Sequence, residues 1–153
     1  MNTLRLRQTA SLTLILATAM SLTACAHMMM MVGTGAKRPA ATEFGLGPRP
    51  SANHLYTATI EPSRELKPRQ MMSVLVRVTD TEGNPVDGAK LTIDGGMPQH
   101  GHGLPTRPRM TRAVSAGTYE IEGVRFNMGG WWEFKVTIAT GRGEDTVTFN
   151  LSL

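Results

Sequence analysis

A two-residue alternation of apolar and polar side chains, sustained to the end of the chain, leaves few folds open. Trp132, Phe134, Val136 and Ile138 alternate with Glu133, Lys135 and Thr137; beyond Gly141-Arg142-Gly143, residues Val147, Phe149, Leu151 and Leu153 alternate with Thr148, Asn150 and Ser152. Successive side chains of a strand point to opposite faces, so each run reads as a strand with one face for a core and one for water. The Gly-Arg-Gly segment between them turns the chain back.

The same period recurs upstream. Tyr56, Ala58 and Ile60 share one face of a strand over His54 to Glu61, and Met72, Val74, Val76 and Val78 alternate with Ser73, Leu75, Arg77 and Thr79. Asp80 to Gly88 is dense in turn formers, and Ala89 to Asp94 then offers Leu91 and Ile93 to a core. Two further short strands are expected over Arg112 to Ser115 and Thr118 to Phe126, separated by Ala116-Gly117. No helical period is sustained anywhere after the N-terminus. About seven strands with turns between them predict an all-β chain, an Ig-like antiparallel β-sandwich over residues 53–153. With no cysteine pair to staple the sheets, apolar burial must hold them, and Trp132 and Phe134 are the expected anchors.

The N-terminus has a different character. Met1 to Arg7 carries two arginines and Thr9 to Leu22 is mostly apolar, which reads as an export signal over residues 1–24, too short and wrongly flanked for a transmembrane helix. Leu22-Thr23-Ala24-Cys25 resembles the lipobox of bacterial lipoproteins, which implies cleavage before Cys25 and acylation of its sulfur. Cys25 is the single cysteine and has no disulfide partner in the chain. Each buried acyl CH₂ contributes about 0.8 kcal/mol, so two or more chains anchor stably, and the mature protein is expected to stay on a membrane. Ala26 in place of Asp after the cysteine implies, by the same resemblance, the outer membrane of the bacterial envelope with the domain facing the periplasm. Residues 25–52, rich in Gly, Pro and Ala, read as a lipidated cysteine and flexible tether. About 20 such residues span roughly 25 Å. Within them, His27 and Met28 to Met31 form either an apolar collar beside the lipid or a second copper-capturing tract.

Charge excludes one class of function. Arg5 and Arg7 leave with the signal, so 14 Lys and Arg face 12 Asp and Glu, a formal charge of only +2. Basic residues are scattered singly among few aromatics, which gives nucleic-acid binding no support. Enzymatic chemistry has none either. No Ser/His/Asp or Cys/His arrangement is legible, and Glu120 with Glu122 reads as an exposed strand face.

Chemistry concentrates instead in Met97-Pro98-Gln99-His100-Gly101-His102-Gly103-Leu104-Pro105, with Met110 after it and Met128 further on. Cu(I) takes thioether sulfur and Cu(II) prefers imidazole nitrogen, so Met97, His100, His102, Met110 and Met128 form a set able to hold either state. Gly101 and Gly103 allow the tight folding a chelate needs, and prolines 98, 105 and 108 reduce the entropy lost when ligands converge. Zinc would gain little from methionine. Against this stands a plainer reading, in which Met97 and Met128 fill the sandwich end as adaptable apolar groups and the imidazoles bond backbone carbonyls. Two functions therefore stay open: a copper-binding envelope lipoprotein, and a metal-free adaptor whose loops contact an envelope protein partner.

Met97-Pro98-Gln99-His100-Gly101-His102-Gly103, Gly117-Thr118-Tyr119-Glu120-Ile121-Glu122-Gly123-Val124-Arg125-Phe126 and Asn127-Met128-Gly129-Gly130-Trp131-Trp132-Glu133 together resemble the YtkA-like domain, related to FixH-type proteins. The likeness runs from about Met71 to Thr140. It implies an Ig-like or cupredoxin-like sandwich, exported or membrane-attached, with a suggested part in copper handling. The family commonly has proline after the methionine of the last motif, where this chain has Gly129.

Overall fold

The computed structural model describes residues 35–153; Cys25 and the His27 to Met31 tract lie outside them. Nine strands are present among the described residues: β1 (Arg49–Pro50), β2 (Thr57–Pro62), β3 (Met72–Thr79), β4 (Lys90–Met97), β5 (His102–Gly103), β6 (Arg109–Ser115), β7 (Thr118–Val124), β8 (Trp131–Thr140) and β9 (Gly143–Ser152). Seven of them are six residues or longer, and β1 and β5 have two residues each. They form two antiparallel sheets, one ordered β1-β2-β3-β7-β6 and the other β5-β4-β8-β9. The fold is the all-β sandwich that the period-two pattern predicts.

Alternation sets the core. Val74, Val76 and Val78 of β3 and Tyr119 and Ile121 of β7 face Trp132, Phe134, Val136 and Ile138 of β8 and Val147, Phe149 and Leu151 of β9, all buried. The rings of Phe126 and Trp132 meet edge to face with centroids 5.2 Å apart, the arrangement that the ring quadrupoles favour. The β8–β9 hairpin is the longest ladder, running unbroken from Trp131 opposite Ser152 to Thr140 opposite Gly143.

The N-terminal stretch is less free than its composition suggests. The segment expected as a tether to residue 52 lies against the sandwich from Ala41 onward. Gly45 N–H donates to the Asn150 carbonyl at 2.9 Å, Ile60 N–H donates to the Leu46 carbonyl at 2.7 Å, and β1 pairs with β2. Leu46 packs on the core, and the Arg38 guanidinium stands 4.8 Å from the centroid of the Phe44 ring. This strap covers the outer edge of β9, which would otherwise present unpaired backbone groups to other chains.

The next turn is fixed by a buried carboxylate. Asp145 on β9 accepts hydrogen bonds from Asn53 N–H at 2.9 Å, Leu55 N–H at 3.3 Å, Thr146 N–H at 2.8 Å and the Asn53 side-chain amide at 3.1 Å. Burial pushes its pKa up, but the Ser51 hydroxyl and these backbone donors outweigh it and hold the carboxyl down at about 2.

Candidate metal site

Two glycines at the end of β4 prepare the site. A Cβ on Gly95 would stand 2.4 Å from the Glu133 carbonyl oxygen, and one on Gly96 would stand 2.4 Å from that of His102. Only glycine allows β8 and β5 to approach β4 this closely. The chain then reverses through Pro98, Gln99, His100 and Gly101. The Met97 carbonyl accepts from His100 N–H at 3.0 Å and from Gly101 N–H at 2.9 Å, and Gly101 adopts φ 66°, which favours glycine. His102 and Gly103 return opposite Met97 and Gly96, and Leu104 N–H donates to the Gly95 carbonyl at 3.0 Å.

This hairpin holds both histidines in solvent, with ring centroids 6.1 Å apart and planes inclined at 32°. An imidazole nitrogen lies about 1 Å from its ring centroid and a metal–nitrogen bond is about 2 Å long, so two rings sharing one ion have centroids about 5 Å apart at a tetrahedral angle and about 6 Å apart when they stand opposed. The observed 6.1 Å lies at the wide, opposed end of that range, so tetrahedral sharing of one ion needs the rings to close by about 1 Å. Beside it an open groove of about 360 Å³ is lined by Asp94, Gly96, Pro98, His102, Glu133 and Lys135. The Glu133 carboxylate there is paired with Lys135 Nζ at 2.9 Å. Among the described residues no group of three or more His, Cys, Asp or Glu is placed to hold a metal. The two imidazoles are therefore not completed by a carboxylate, and sulfur or an external ligand is left to fill the shell.

The methionines fall into three different environments. Met97 is 2% exposed and belongs to the core. It is the direct cross-strand partner of His102, which places the two Cβ atoms about 4.5–5.5 Å apart on one face. Met110 is not in the loop: β6 begins at Arg109, three residues before the expected start, because Arg109 and Met110 pair with Glu122 and Ile121. Its side chain is half-buried and packs on the core from the opposite sheet. Met128 is 43% exposed in the turn between β7 and β8, and its carbonyl accepts from Trp132 Nε1 at 3.0 Å. That turn is tied to the chain end by Gly130 N–H to the Leu153 carbonyl at 2.9 Å and Leu153 N–H to the Gly130 carbonyl at 3.1 Å. A Cβ on Gly129 would stand 3.0 Å from the Leu153 carbonyl oxygen, so glycine at this position makes the turn tight rather than loose.

The structure thus places His100 and His102 near one another and pairs Met97 with His102 across the strands, while Met110 is held by the opposite sheet. The residues that sequence reasoning passed over are Gly95 and Gly96. Their signal was present, since paired glycines at a strand end mark close backbone approach.

No curated protein matches the sequence. Among solved structures, the ZirS C-terminal domain aligns over 82% of this chain and 89% of its own at 14% identity, with a TM-score of 0.39. The YtkA-like family matches residues 52–137, more than half of the chain and all of the histidine hairpin and the Met128 turn. The chain belongs to the YtkA-like family.

Proposed function

We propose that this protein is a membrane-anchored lipoprotein of the bacterial envelope that binds copper at the His100–His102 hairpin and serves copper delivery, storage or protection. The observation that carries the reading is the pair of solvent-facing imidazoles 6.1 Å apart, fixed by a turn that hangs from a core strand. Imidazole suits Cu(II), and a thioether drawn from the surrounding methionines suits Cu(I), so one shell serves both states. Copper supplies redox and transfer chemistry when bound. The chain supplies two nitrogen donors on one hydrogen-bonded turn, so less ordering entropy is lost on binding than from a free loop. Attachment through Cys25 would keep the site at the periplasmic face of a membrane, with outer-membrane delivery favoured by Ala26.

A competition titration of a soluble form, lacking the signal and the acylated cysteine, tests the reading. It expects one ion bound more tightly than about micromolar, a free energy of about −8 kcal/mol, and loss of that binding in a His100→Ala, His102→Ala double variant. Weaker binding, or binding that survives the double substitution, rules the site out.

A further inference from the structure

We propose that Met97 serves the histidine hairpin as a positioning residue, bracing it against the Met128 turn, and is not one of the metal's ligands; this rests on the copper reading above. Three observations meet at this side chain. Its carbonyl closes the histidine turn by accepting both His100 N–H and Gly101 N–H. Its side chain is 2% exposed. Its terminal methyl packs against Gly130, where a Cβ would stand 2.8 Å from Met97 Cε.

Gly130 has φ 124°, which favours glycine, and is clamped by its two hydrogen bonds with Leu153. The methyl of Met97 therefore presses on a backbone that has little freedom to retreat. One side chain links the hairpin that carries both imidazoles to the turn that carries Met128. A flexible thioether fills such an irregular gap well. Ligation by its sulfur would require the chain to leave Gly130 and the core, which removes the brace from the two segments the ion needs held. Of Met97, Met110 and Met128, it is Met128, exposed on the braced turn, that can approach an ion from solvent.

The test uses the full chain in detergent, Cu(I) alone against a competing chelator, X-ray absorption at the copper edge, and hydrogen exchange without metal. Met97→Leu keeps volume and apolar character while removing sulfur. It is expected to hold Cu(I) within about threefold of the unsubstituted chain, with the copper–sulfur signal unchanged. Met97→Ala is expected to speed exchange in residues 98–102 and 127–130 together. Loss of the sulfur signal and of tenfold or more in affinity in Met97→Leu, with exchange unchanged, overturns the proposal and makes Met97 a ligand. Should the unsubstituted chain take up no copper, the copper reading fails by itself. The brace is then judged by exchange, and loosening of 98–102 without 127–130 in Met97→Ala overturns it.

Discussion

Met97 and His102 stand opposite one another in the β4–β5 ladder, the first sealed in the core and the second open to solvent. The pairing joins the interior of the sandwich directly to the histidine hairpin. A loop that merely hung from the sheet would pay in entropy for every ligand it ordered. Here the turn begins and ends on paired residues, and the packing that stabilises the domain also holds the imidazoles.

Removing the imidazoles should therefore cost binding and spare the fold. His100→Ala with His102→Ala takes away both nitrogen donors, and copper affinity is expected to fall by about a hundredfold or more. Both side chains are exposed, so the melting temperature should stay within about 3 °C. Chelator competition and thermal melts on the same preparation measure the two quantities. A large drop in melting temperature would mean that the histidines hold the turn rather than a metal.

The two remaining methionines should separate by what they lose. Met110→Ala removes a half-buried side chain packed on the core and is expected to cost about 1–3 kcal/mol in denaturant unfolding. Met128→Ala, at an exposed position, should shift stability by no more than about 0.5 kcal/mol. It should weaken Cu(I) more than Cu(II), because soft sulfur favours the reduced ion. Equal effects on the two oxidation states would take Met128 out of the site.

Gly96→Ala tests the backbone beneath the histidines. The added Cβ would meet the His102 carbonyl oxygen at 2.4 Å, and backbone cannot yield as a flexible side chain can. The expected cost is about 1–3 kcal/mol. Exchange should quicken at Leu104 N–H, which bonds the neighbouring Gly95 carbonyl. Unchanged protection there would show that β5 tolerates the extra methyl.

The core was legible in advance because period two maps directly onto a half-buried sheet: Tyr56, Ala58, Ile60, Trp132, Phe134 and Phe149 are buried as the alternation requires. The histidine segment was legible only as a loop, from Gly101 and the flanking prolines; the run of β4 on to Met97 and the pairing of His102 and Gly103 with it were not. What escaped depended on partners distant in sequence. Met110 looked like loop until Glu122 and Ile121 drew β6 back to Arg109. The strap from Ala41 carries no sustained period because, outside the two residues of β1, it is held by single bonds to Ile60 and Asn150. Met97 could be read as ligand or core from its type alone, and only its contact with Gly130 and its burial separate the two.

Asp145 lets acid stability be separated from the acid loss of metal expected of the proposed site. Its carboxyl is held at about 2 in the folded chain, below the 3.8 of a free aspartate. The folded state thus binds the proton less readily than the unfolded state. The contribution to stability is complete above the unfolded value and fades as pH falls from about 4 through about 2. Its size is on the order of 2 kcal/mol. Asp145→Asn should lower stability at neutral pH and flatten the acid limb of the unfolding curve across that window, measured by urea denaturation at stepped pH. At the proposed copper site, affinity is also expected to fall in acid, because an imidazole must be neutral to ligate. His100→Ala with His102→Ala should abolish the metal effect and leave the Asp145 limb intact. An acid limb of the same steepness in Asp145→Asn would show that another group governs acid unfolding, and that the strap and the turn at residues 51–55 are not secured by this carboxylate.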